Sequence, residues 1–297
     1  MNRYNICAVE HKQRIEDAQW RVVRKPDDVV SLFERFEPYS LSAYTRFKNM
    51  KAGRDRAWVL KNSGVLVRSG QSLFPVFDSS RLSWEDESER LKNLKNILKM
   101  SLEERTLHAV QGKAEDVESL ENIICGLGAF SDQRILYDLM IINQEPSRAS
   151  LISGPAGLIL RPPRMTDADV LFELQADYEK EEVLTKKSVF VPAVCRLFVE
   201  RIILTGRALL AEYGGYIVGK VNINATSPAW VQIGGVYVRP EFRGMGIASR
   251  MVAVFVQGLL IGHTGVSLFV KETNDPACAM YRRVGFAPIG HYRISYY

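Results

Sequence analysis

Hydrophobic residues recur with two different spacings in the first half of the chain. Steps of three and four residues predict helices, whereas alternation and short apolar runs predict strands. The apolar stretch at 56–77 is predicted to hold two strands joined near Asn62-Ser63-Gly64. The other predicted elements are helices at 26–36 and 43–48, a Leu/Lys-rich helix, a strand at 106–112, an acidic helix at 114–128 and a strand at 132–142. This order predicts a small α/β domain.

A linker is predicted at residues 143–157, where Pro, Ser and Gly replace the hydrophobic periodicity. We therefore expect two domains, at 1–145 and 156–297, which suits a chain of 297 residues. The second domain has the order β-α-α-β-β-β-α-β-α-β-β, with two final strands around 286–290 and 291–297. This order predicts an α/β fold of the α+β kind, built on a mixed sheet.

The composition is that of a globular protein, with 46% hydrophobic and 25% charged residues. The net charge of +5 is not gathered in a basic block, so we expect no nucleic-acid partner. The longest apolar run, around 251–262, is too short to cross a bilayer, and the amino terminus has no signal-peptide core. These features predict a soluble cytoplasmic protein without a membrane partner.

The four cysteines are far apart and only four histidines accompany them. The spacing shows no C-x-x-C pair, so we expect no metal site. Reduced and mostly buried thiols are predicted at Cys7, Cys125, Cys195 and Cys278.

The strand at 230–238, WVQIGGVYV, changes the parity of its apolar positions at Gly234-Gly235. The apolar residues before the glycines occupy odd positions, and the valines after them occupy even positions. One extra residue at the glycines restores the alternation, so the sequence predicts a β-bulge. Such a bulge either only bends the sheet, or frees the backbone of Val236, Tyr237 and Val238 to pair with an extended, amide-containing ligand.

Residues 243–249, RGMGIAS, carry the chain from this strand into a predicted helix. Unpaired N–H groups and the positive end of the helix dipole gather at such a start, and glycines let the backbone approach a phosphate. Taken alone, an ordinary helix cap would explain the same glycines. The candidate phosphate-binding residues are Arg243, Gly244, Met245, Gly246, Ile247, Ala248 and Ser249.

A dinucleotide-binding loop is the competing interpretation of this turn. Gly244, Gly246 and the later Glu272 imitate its fingerprint, but Ser249 replaces the third glycine. The turn also follows an antiparallel hairpin, not the first strand of a βαβ unit, so this interpretation is disfavoured.

A second motif, NDPACAMYRRVGF, occupies residues 274–286. It predicts a helix capped by Asp275, with a proline in its first turn and Gly285 at its end. Tyr281 lies on the inner face of this helix, where a core aromatic residue would also be expected. Asn274, taken alone, is typical of a turn.

The bulged strand, the R-x-x-G-x-A pattern of Arg243, Gly246 and Ala248, and the motif at 274–286 together resemble the GNAT superfamily of acetyl-CoA-dependent N-acetyltransferases. The resemblance covers residues 158–297 and implies a GNAT fold with acetyl-CoA as cosubstrate. It implies that the pantetheine arm pairs with the backbone of residues 236–238 and contacts Asn274, while the pyrophosphate rests on residues 243–249.

The resemblance also implies that Tyr281 protonates the departing thiolate, which suits a phenol whose ordinary pKa is about 10. An amine acceptor must lose a proton before it attacks, and family members often carry a glutamate on the fourth strand for this purpose. Here that strand offers Gln232 and Tyr237 instead. The candidate bases are a water held by Gln232, or Glu179, Glu182 or Glu212; a solvated acidic run would equally account for Glu179 and Glu182.

We therefore expect an acyltransferase that moves an acetyl group to a primary amine of a small molecule or peptide, by direct attack in a ternary complex. The alternative is a catalytically weak acyl-CoA-binding regulatory module, motivated by the missing strand glutamate. The first domain has no R-x-x-G-x-G/A loop, so we expect no cofactor there. Its order of elements is compatible with a degenerate GNAT-like copy.

Overall fold

The computed structural model describes residues 19–82, 88–103, 107–185 and 188–297. The chain forms two compact units, one of residues up to Tyr137 together with Gly290–Tyr297, and one of Asp138–Ile289. The sequence placed the domain boundary in a linker between 145 and 156, whereas the units divide between Tyr137 and Asp138, inside the strand Gln133–Ile142. The division also differs at the carboxyl terminus because the last strand pairs with a strand of the first unit, from Tyr292 opposite Lys113 to Tyr296 opposite Ala109.

The first unit is a sheet with helices on both faces. Its strands lie in the order β1-β2-β3-β4-β5-β12, and only β4 and β5 pair in parallel among those whose register is known. The elements are β1 (Arg21–Val22), α1 (Asp27–Arg35), α2 (Glu37–Lys48), β2 (Arg56–Leu60), β3 (Gly64–Ser69), β4 (Ser72–Phe77), α3 (Glu89–Glu103), β5 (Ala109–Lys113), α4 (Ala114–Cys125), β6 (Gln133–Ile142, which continues into the second unit) and the end of β12 (Ala287–Tyr296).

Alternating side chains of these strands fill two cores, as expected for a sheet covered on both faces. Leu60 and Leu66 pack on the side of α3 and α4, whereas Val65 and Val67 pack on the side of α1 and α2. The stretch at 56–77 contains three strands, not the two predicted, because a second turn at Gly70, with φ 57°, separates β3 from β4.

Asp116 forms a hydrogen bond with β4 beyond the part of β4 that pairs with β5. The parallel pairs are Ser72 with Ala109 and Leu73 with Val110. Further along β4, the backbone N–H of Phe77 donates to Asp116 Oδ2 at 3.0 Å. Asp116 is buried, and burial raises the pKa of its carboxyl to about 7. The unit thus satisfies this strand amide with a side chain of its own.

Replacing Asp116 by Asn is expected to flatten the pH dependence of stability. Between about pH 4 and pH 7 the folded protein holds the Asp116 proton more tightly than the unfolded chain, because the pKa rises from 3.8 to about 7 on folding. The wild type therefore loses stability as the pH rises through this window, whereas an asparagine amide would accept the same hydrogen bond without a charge. Urea unfolding at pH 5 and pH 8 measures the difference, with the exposed neighbour Glu118→Gln as the control. An unchanged slope in Asp116→Asn would contradict the assignment.

The second unit repeats the same succession of elements. Its strands lie in the order β6-β11-β10-β9-β8-β7, with β10 and β11 parallel. The elements are β7 (Ile159–Arg161), a 3₁₀ turn (Met165–Asp167), α6 (Ala168–Tyr178), a π-helical turn (Glu179–Val183), α7 (Pro192–Leu204), β8 (Ala208–Tyr213), β9 (Tyr216–Thr226), β10 (Trp230–Val238), a 3₁₀ turn (Pro240–Phe242), α8 (Ile247–Leu260), β11 (Gly265–Lys271), α9 (Asp275–Val284) and the start of β12.

Both units therefore follow the order β-α-α-β-β-β-α-β-α-β. The predicted order of the second unit is confirmed except at its end, where the two expected strands form one, β12. The predicted linker is also not irregular throughout, since α5 (Arg148–Leu151) lies within it.

Helices cover both faces of the second sheet as well. Val256 of α8 and Val284 of α9 pack on one face, and Leu171 of α6 and Val199 of α7 on the other. Cys195 and Cys278 are buried free thiols as predicted, whereas Cys125 is exposed, and Cys7 lies outside the described residues. Within the described ranges, no helix combines the length and apolar character that crossing a membrane requires.

Candidate active site

Strand β10 carries the bulge that its sequence predicts. Opposite β9, Gly234 pairs with Asn222 and Tyr237 with Lys220, so three steps on β10 match two on β9. Gly235 has a φ of 58°, in the left-handed region that favours glycine. On the other side, the described pairing with β11 covers Trp230 to Gln232. The backbone of Val236 is thus out of the ladder where β10 and β11 separate.

A row of polar side chains on β9 lies beside the bulge, with Lys220 and Asn222 buried and Asn224 exposed. Asn222 Nδ2 donates to Asn224 Oδ1 at 2.8 Å, and Lys220 Nζ donates to Asn222 Oδ1 at 3.1 Å. A Cβ on Gly234 would lie 2.1 Å from Asn224 Nδ2, so Asn224 would have to move to admit a side chain there. Sequence reasoning missed this row, although its signal is present as alternating Lys and Asn in KVNIN at 220–224.

The turn after β10 leads directly into α8. Gly244 and Gly246 have φ values of 78° and 79°, which allow the chain to reverse without strain. Gly246 also packs against Gly154, because a Cβ on it would lie 2.9 Å from the backbone N of Gly154. Ser153 Oγ donates to the Gly246 carbonyl at 3.2 Å. The start of α8 is therefore fixed from outside by the segment that the sequence treated as a linker.

These features line a single cavity of about 800 Å³. Eleven of the twelve predicted site residues contribute to its wall: Val236, Tyr237, Val238, Arg243, Gly244, Gly246, Ile247, Ala248, Ser249, Asn274 and Tyr281. Met245 does not line it and is 38% exposed. The segment around α5 adds Ser147, Ala149, Ser150 and Ser153, which sequence reasoning did not find.

Arg243 contacts two other residues of the cavity wall, Val238 and Glu181. Its Nε donates to the Val238 carbonyl at 2.9 Å, and its Nη2 lies 2.8 Å from Glu181 Oε2. The hydrogen bond to Glu181 raises the pKa of Arg243, so the guanidinium stays charged. The Val238 carbonyl, predicted as a free ligand-binding group, is therefore occupied by Arg243 in this state.

Glu182, in the π-helical turn at 179–183, binds a second residue of the cavity wall, Asn274. Asn274 Nδ2 donates to Glu182 Oε1 at 3.2 Å, while Lys271 Nζ lies 3.2 Å from Glu182 Oε2. Two consecutive glutamates of one turn therefore bind side chains of the cavity wall. Glu181 binds Arg243, and Glu182 binds Asn274. We call Glu181 and Glu182 the glutamate clasp.

Three of the four residues considered for the general base, Glu179, Glu212 and Gln232, do not line the cavity. Glu212 pairs with Arg161 at 2.9 Å, and Gln232 is buried in β10 at 2% exposure. Glu179 accepts a hydrogen bond from Gln175 Nε2 at 2.8 Å. Glu182 is the one of the four that contributes to the cavity wall.

Tyr281 lies on the inner face of α9, as its spacing predicts. It is 8% exposed, packs edge-on against Phe286 with ring centroids 5.8 Å apart, and contributes to the cavity wall. Burial raises its pKa above the ordinary value, so the phenol is protonated at neutral pH. The helix is capped by Asn274, whose Oδ1 accepts from the Ala277 N–H at 3.2 Å. The prediction of Asp275 as the cap was wrong by one residue, while Gly285 ends the helix as predicted.

The chain is similar to known acetyltransferases in sequence and in fold. Residues 172–286 match the acetyltransferase (GNAT) family. A stretch of 92 residues is 34% identical to the N-alpha-acetyltransferase RimI of Mycobacterium tuberculosis (strain ATCC 25618 / H37Rv) and covers 29% of this chain and 57% of that protein. The chain thus spans a little over half the length of this curated relative.

Solved structures of similar fold cover both units. A tandem GNAT protein from the clavulanic acid biosynthesis pathway has a TM-score of 0.58 at 14% identity, over 94% of this chain and 98% of its own. A GCN5-related N-acetyltransferase from Sphaerobacter thermophilus has a TM-score of 0.58 at 16% identity, over 94% of each chain. At such identities the likeness concerns the fold.

The fold and the cleft therefore define a mixed α/β protein of the GNAT type. Residues 172–286 match the acetyltransferase (GNAT) family, and a shorter stretch is similar to a curated N-alpha-acetyltransferase. The first unit repeats the order of elements of the second, and the tandem GNAT structure has a similar fold over both units.

Proposed function

We propose that the second unit is an N-acetyltransferase that moves an acetyl group from acetyl-CoA to a primary amine. The observation that carries this proposal is the cavity of about 800 Å³, whose wall combines a bulged strand, a glycine turn at a helix start and a buried tyrosine. Each of these three features suits a different portion of acetyl-CoA, and all three line the same cavity.

The backbone supplies most of the proposed contacts with acetyl-CoA. Val236, left out of the β9 ladder, offers its amide groups to the pantetheine arm in the manner of an added strand. Residues 247–249 line the cavity at the start of α8, where the first N–H groups have no intrahelical acceptors, so they suit the pyrophosphate. Arg243 adds a fixed positive charge beside them.

The proposed reaction is direct transfer in a ternary complex. The amine nitrogen attacks the thioester carbonyl, the carbon–sulfur bond breaks, and the CoA thiolate takes a proton from Tyr281. The attacking amine gives up a proton, and we assign its acceptance to Glu182, the carboxylate candidate on the cavity wall. Backbone N–H groups at the bulge suit the negative charge that develops on the carbonyl oxygen.

The acceptor is proposed to be a small molecule or a peptide. The RimI relative is named as an N-alpha-acetyltransferase, which makes a peptide amino terminus the first acceptor to test. Glu181 and Glu182 place acidic groups at the cavity, and these favour an acceptor that arrives as an ammonium ion.

A specific observation favours one alternative, an acyl-CoA-binding regulatory module with weak turnover. Strand β10 carries Gln232 in place of a carboxylate, and Gln232 is 2% exposed. Calorimetry with acetyl-CoA, followed by release of free CoA with a panel of peptides, lysine, polyamines and aminoglycosides, separates the two. Amine-dependent CoA release is the expected result. Binding without release for every amine would favour the regulatory module, and absence of binding would contradict both.

Replacing Glu181 by Gln is expected to tighten acetyl-CoA binding by about 1.4- to fivefold. The pyrophosphate must replace Glu181 as the partner of Arg243, and an ion pair that is partly exposed contributes about 0.2–1 kcal/mol. Isothermal calorimetry measures the gain, with Glu173→Gln as the matched control because Glu173 pairs with Arg239 at 3.0 Å outside the cavity wall. Weaker binding in Glu181→Gln would show that Glu181 supports the site and does not compete for it.

A further inference from the structure

Lys220 is completely buried in the second unit, at 0% exposure. Its Nζ donates to the Gly235 carbonyl at 2.8 Å and to Asn222 Oδ1 at 3.1 Å, and it lies 4.9 Å from the centroid of the Tyr178 ring. Two hydrogen bonds and one aromatic face thus account for the three donor directions of the ammonium group. Among the described residues, no carboxylate oxygen forms an ion pair with it.

Burying a lysine in this way works against stability. A charged group taken out of water without an ionic partner costs several kcal/mol, whereas an apolar side chain of similar volume would fill the same space without that cost. Consistent with this, burial lowers the pKa of Lys220 to about 7, although the nearby charge of Glu179 acts in the opposite direction. Packing alone therefore does not explain a lysine at this position.

The contacts of Lys220 all converge on the bulge. Gly235, whose carbonyl it holds, sits immediately before Val236, the residue that leaves the ladder of β10. A Cβ on Gly235 would lie 2.6 Å from Lys220 Nζ and 2.1 Å from Asn222 Oδ1, so the bulge and the polar row fit each other closely. Both the charged and the neutral amine keep at least two N–H donors, the number of hydrogen bonds that Lys220 makes.

We infer that Lys220 is a positioning residue, which fixes the Gly235 carbonyl and so presents the backbone of Val236 to the cavity. A buried donor on the neighbouring strand selects one arrangement of the bulge. This inference rests on the proposed function, because the presented backbone is the group assigned to the pantetheine arm.

The test is Lys220→Met, which keeps the length of the side chain and removes the donor. We expect the Kd for CoA to rise about tenfold, as for the loss of one or two backbone hydrogen bonds, while the melting temperature stays the same or rises. The matched control is Lys113→Met in the first unit, whose Nζ lies 5.5 Å from the centroid of the Tyr39 ring. This control is expected to leave the Kd for CoA unchanged.

A purely structural role predicts the opposite pattern. A lower melting temperature with an unchanged Kd for the folded protein would overturn the inference. Should Lys220→Met not fold, Lys220→Gln replaces it, since its shorter side chain keeps a polar group but does not reach the Gly235 carbonyl. The same rise in Kd is expected from that variant, and an unchanged Kd would overturn the inference.

Failure of the proposed function would look different. If the wild-type protein bound neither acetyl-CoA nor CoA, the function would be wrong, and the role of Lys220 would be judged on backbone geometry. The amide signals of Val236 and Tyr237 in NMR spectra are expected to shift in Lys220→Met and not in Lys113→Met. Unshifted signals in Lys220→Met would contradict the inference whatever the ligand.

Discussion

Tyr281→Phe is expected to lower kcat about 100- to 10,000-fold, the usual range for loss of a positioned general acid. The departing thiolate would have to leave without a proton from Tyr281, while the ring would keep its packing against Phe286. The Kd for acetyl-CoA is therefore expected to stay within about twofold of the wild type. Because burial raises the pKa of Tyr281, its ionisation should not limit the wild-type rate below about pH 10.

Steady-state CoA release at saturating acetyl-CoA, measured from about pH 6 to pH 10, checks this prediction. The control is Tyr216→Phe, in which the same hydroxyl is removed from a tyrosine that is 71% exposed and outside the cavity wall. A Tyr281→Phe protein with full activity at every pH would remove Tyr281 from the mechanism. The assignment of residues around the bulge would not depend on that result.

Gly235→Ala is expected to weaken binding of acetyl-CoA about 10- to 100-fold and to lower the free energy of unfolding by about 1–3 kcal/mol. The φ of 58° disfavours alanine, and the new Cβ would lie 2.1 Å from Asn222 Oδ1. The backbone must move to relieve both, which displaces the amides of Val236 from the cavity. Calorimetry and chemical unfolding measure the two effects on the same preparation.

Gly258→Ala provides the matched control for this substitution. Gly258 lies on the exposed face of α8, and a Cβ there would meet nothing within 4 Å. Alanine in a helix interior is favoured over glycine by about 0.5–1 kcal/mol, so this variant should be slightly more stable and bind acetyl-CoA normally. If Gly235→Ala behaved like Gly258→Ala, the bulge would not be needed for binding.

The bulge could be predicted from the sequence because it leaves a local trace. An extra residue shifts the alternation of apolar positions, and the shift at Gly234-Gly235 is visible without any partner strand. The order of elements in the second unit and the end of α9 at Gly285 were likewise encoded by local periodicity and by glycines. These local signals carried the resemblance to the GNAT superfamily, which grouped the twelve candidate site residues, and eleven of them line one cavity.

Contacts between distant segments leave no such trace. Glu181 and Arg243 are 62 residues apart, and nothing in either segment indicates that they form an ion pair. The polar positions of β9 alternate as they would in any strand with one solvated face, so the sequence does not distinguish them. The structure buries Lys220 and Asn222 beside the bulge and leaves Asn224 exposed. The helix within the predicted linker was missed for a related reason, since its four residues are too few to show periodicity.

The first unit shows what the same succession of elements does without a bulge. Its strand β4 pairs with β3 over six consecutive residues, from Ser72 to Phe77. The backbone N–H of Phe77 is then taken by Asp116. That no cofactor binds there remains a prediction, and the stability of Asp116→Asn tests the contact on which this comparison depends.

The glutamate clasp affects which anions can bind at Arg243 in the cavity of the free protein. Inorganic phosphate or ATP would have to displace Glu181, which lies 2.8 Å from Arg243, and would gain in return only Arg243 and the first N–H groups of α8. Neither offers a peptide-like arm for the open edge of β10, so neither recovers the cost of displacing the carboxylate. Under the proposed function, this difference would favour thioesters of CoA over phosphate and ATP in the cleft.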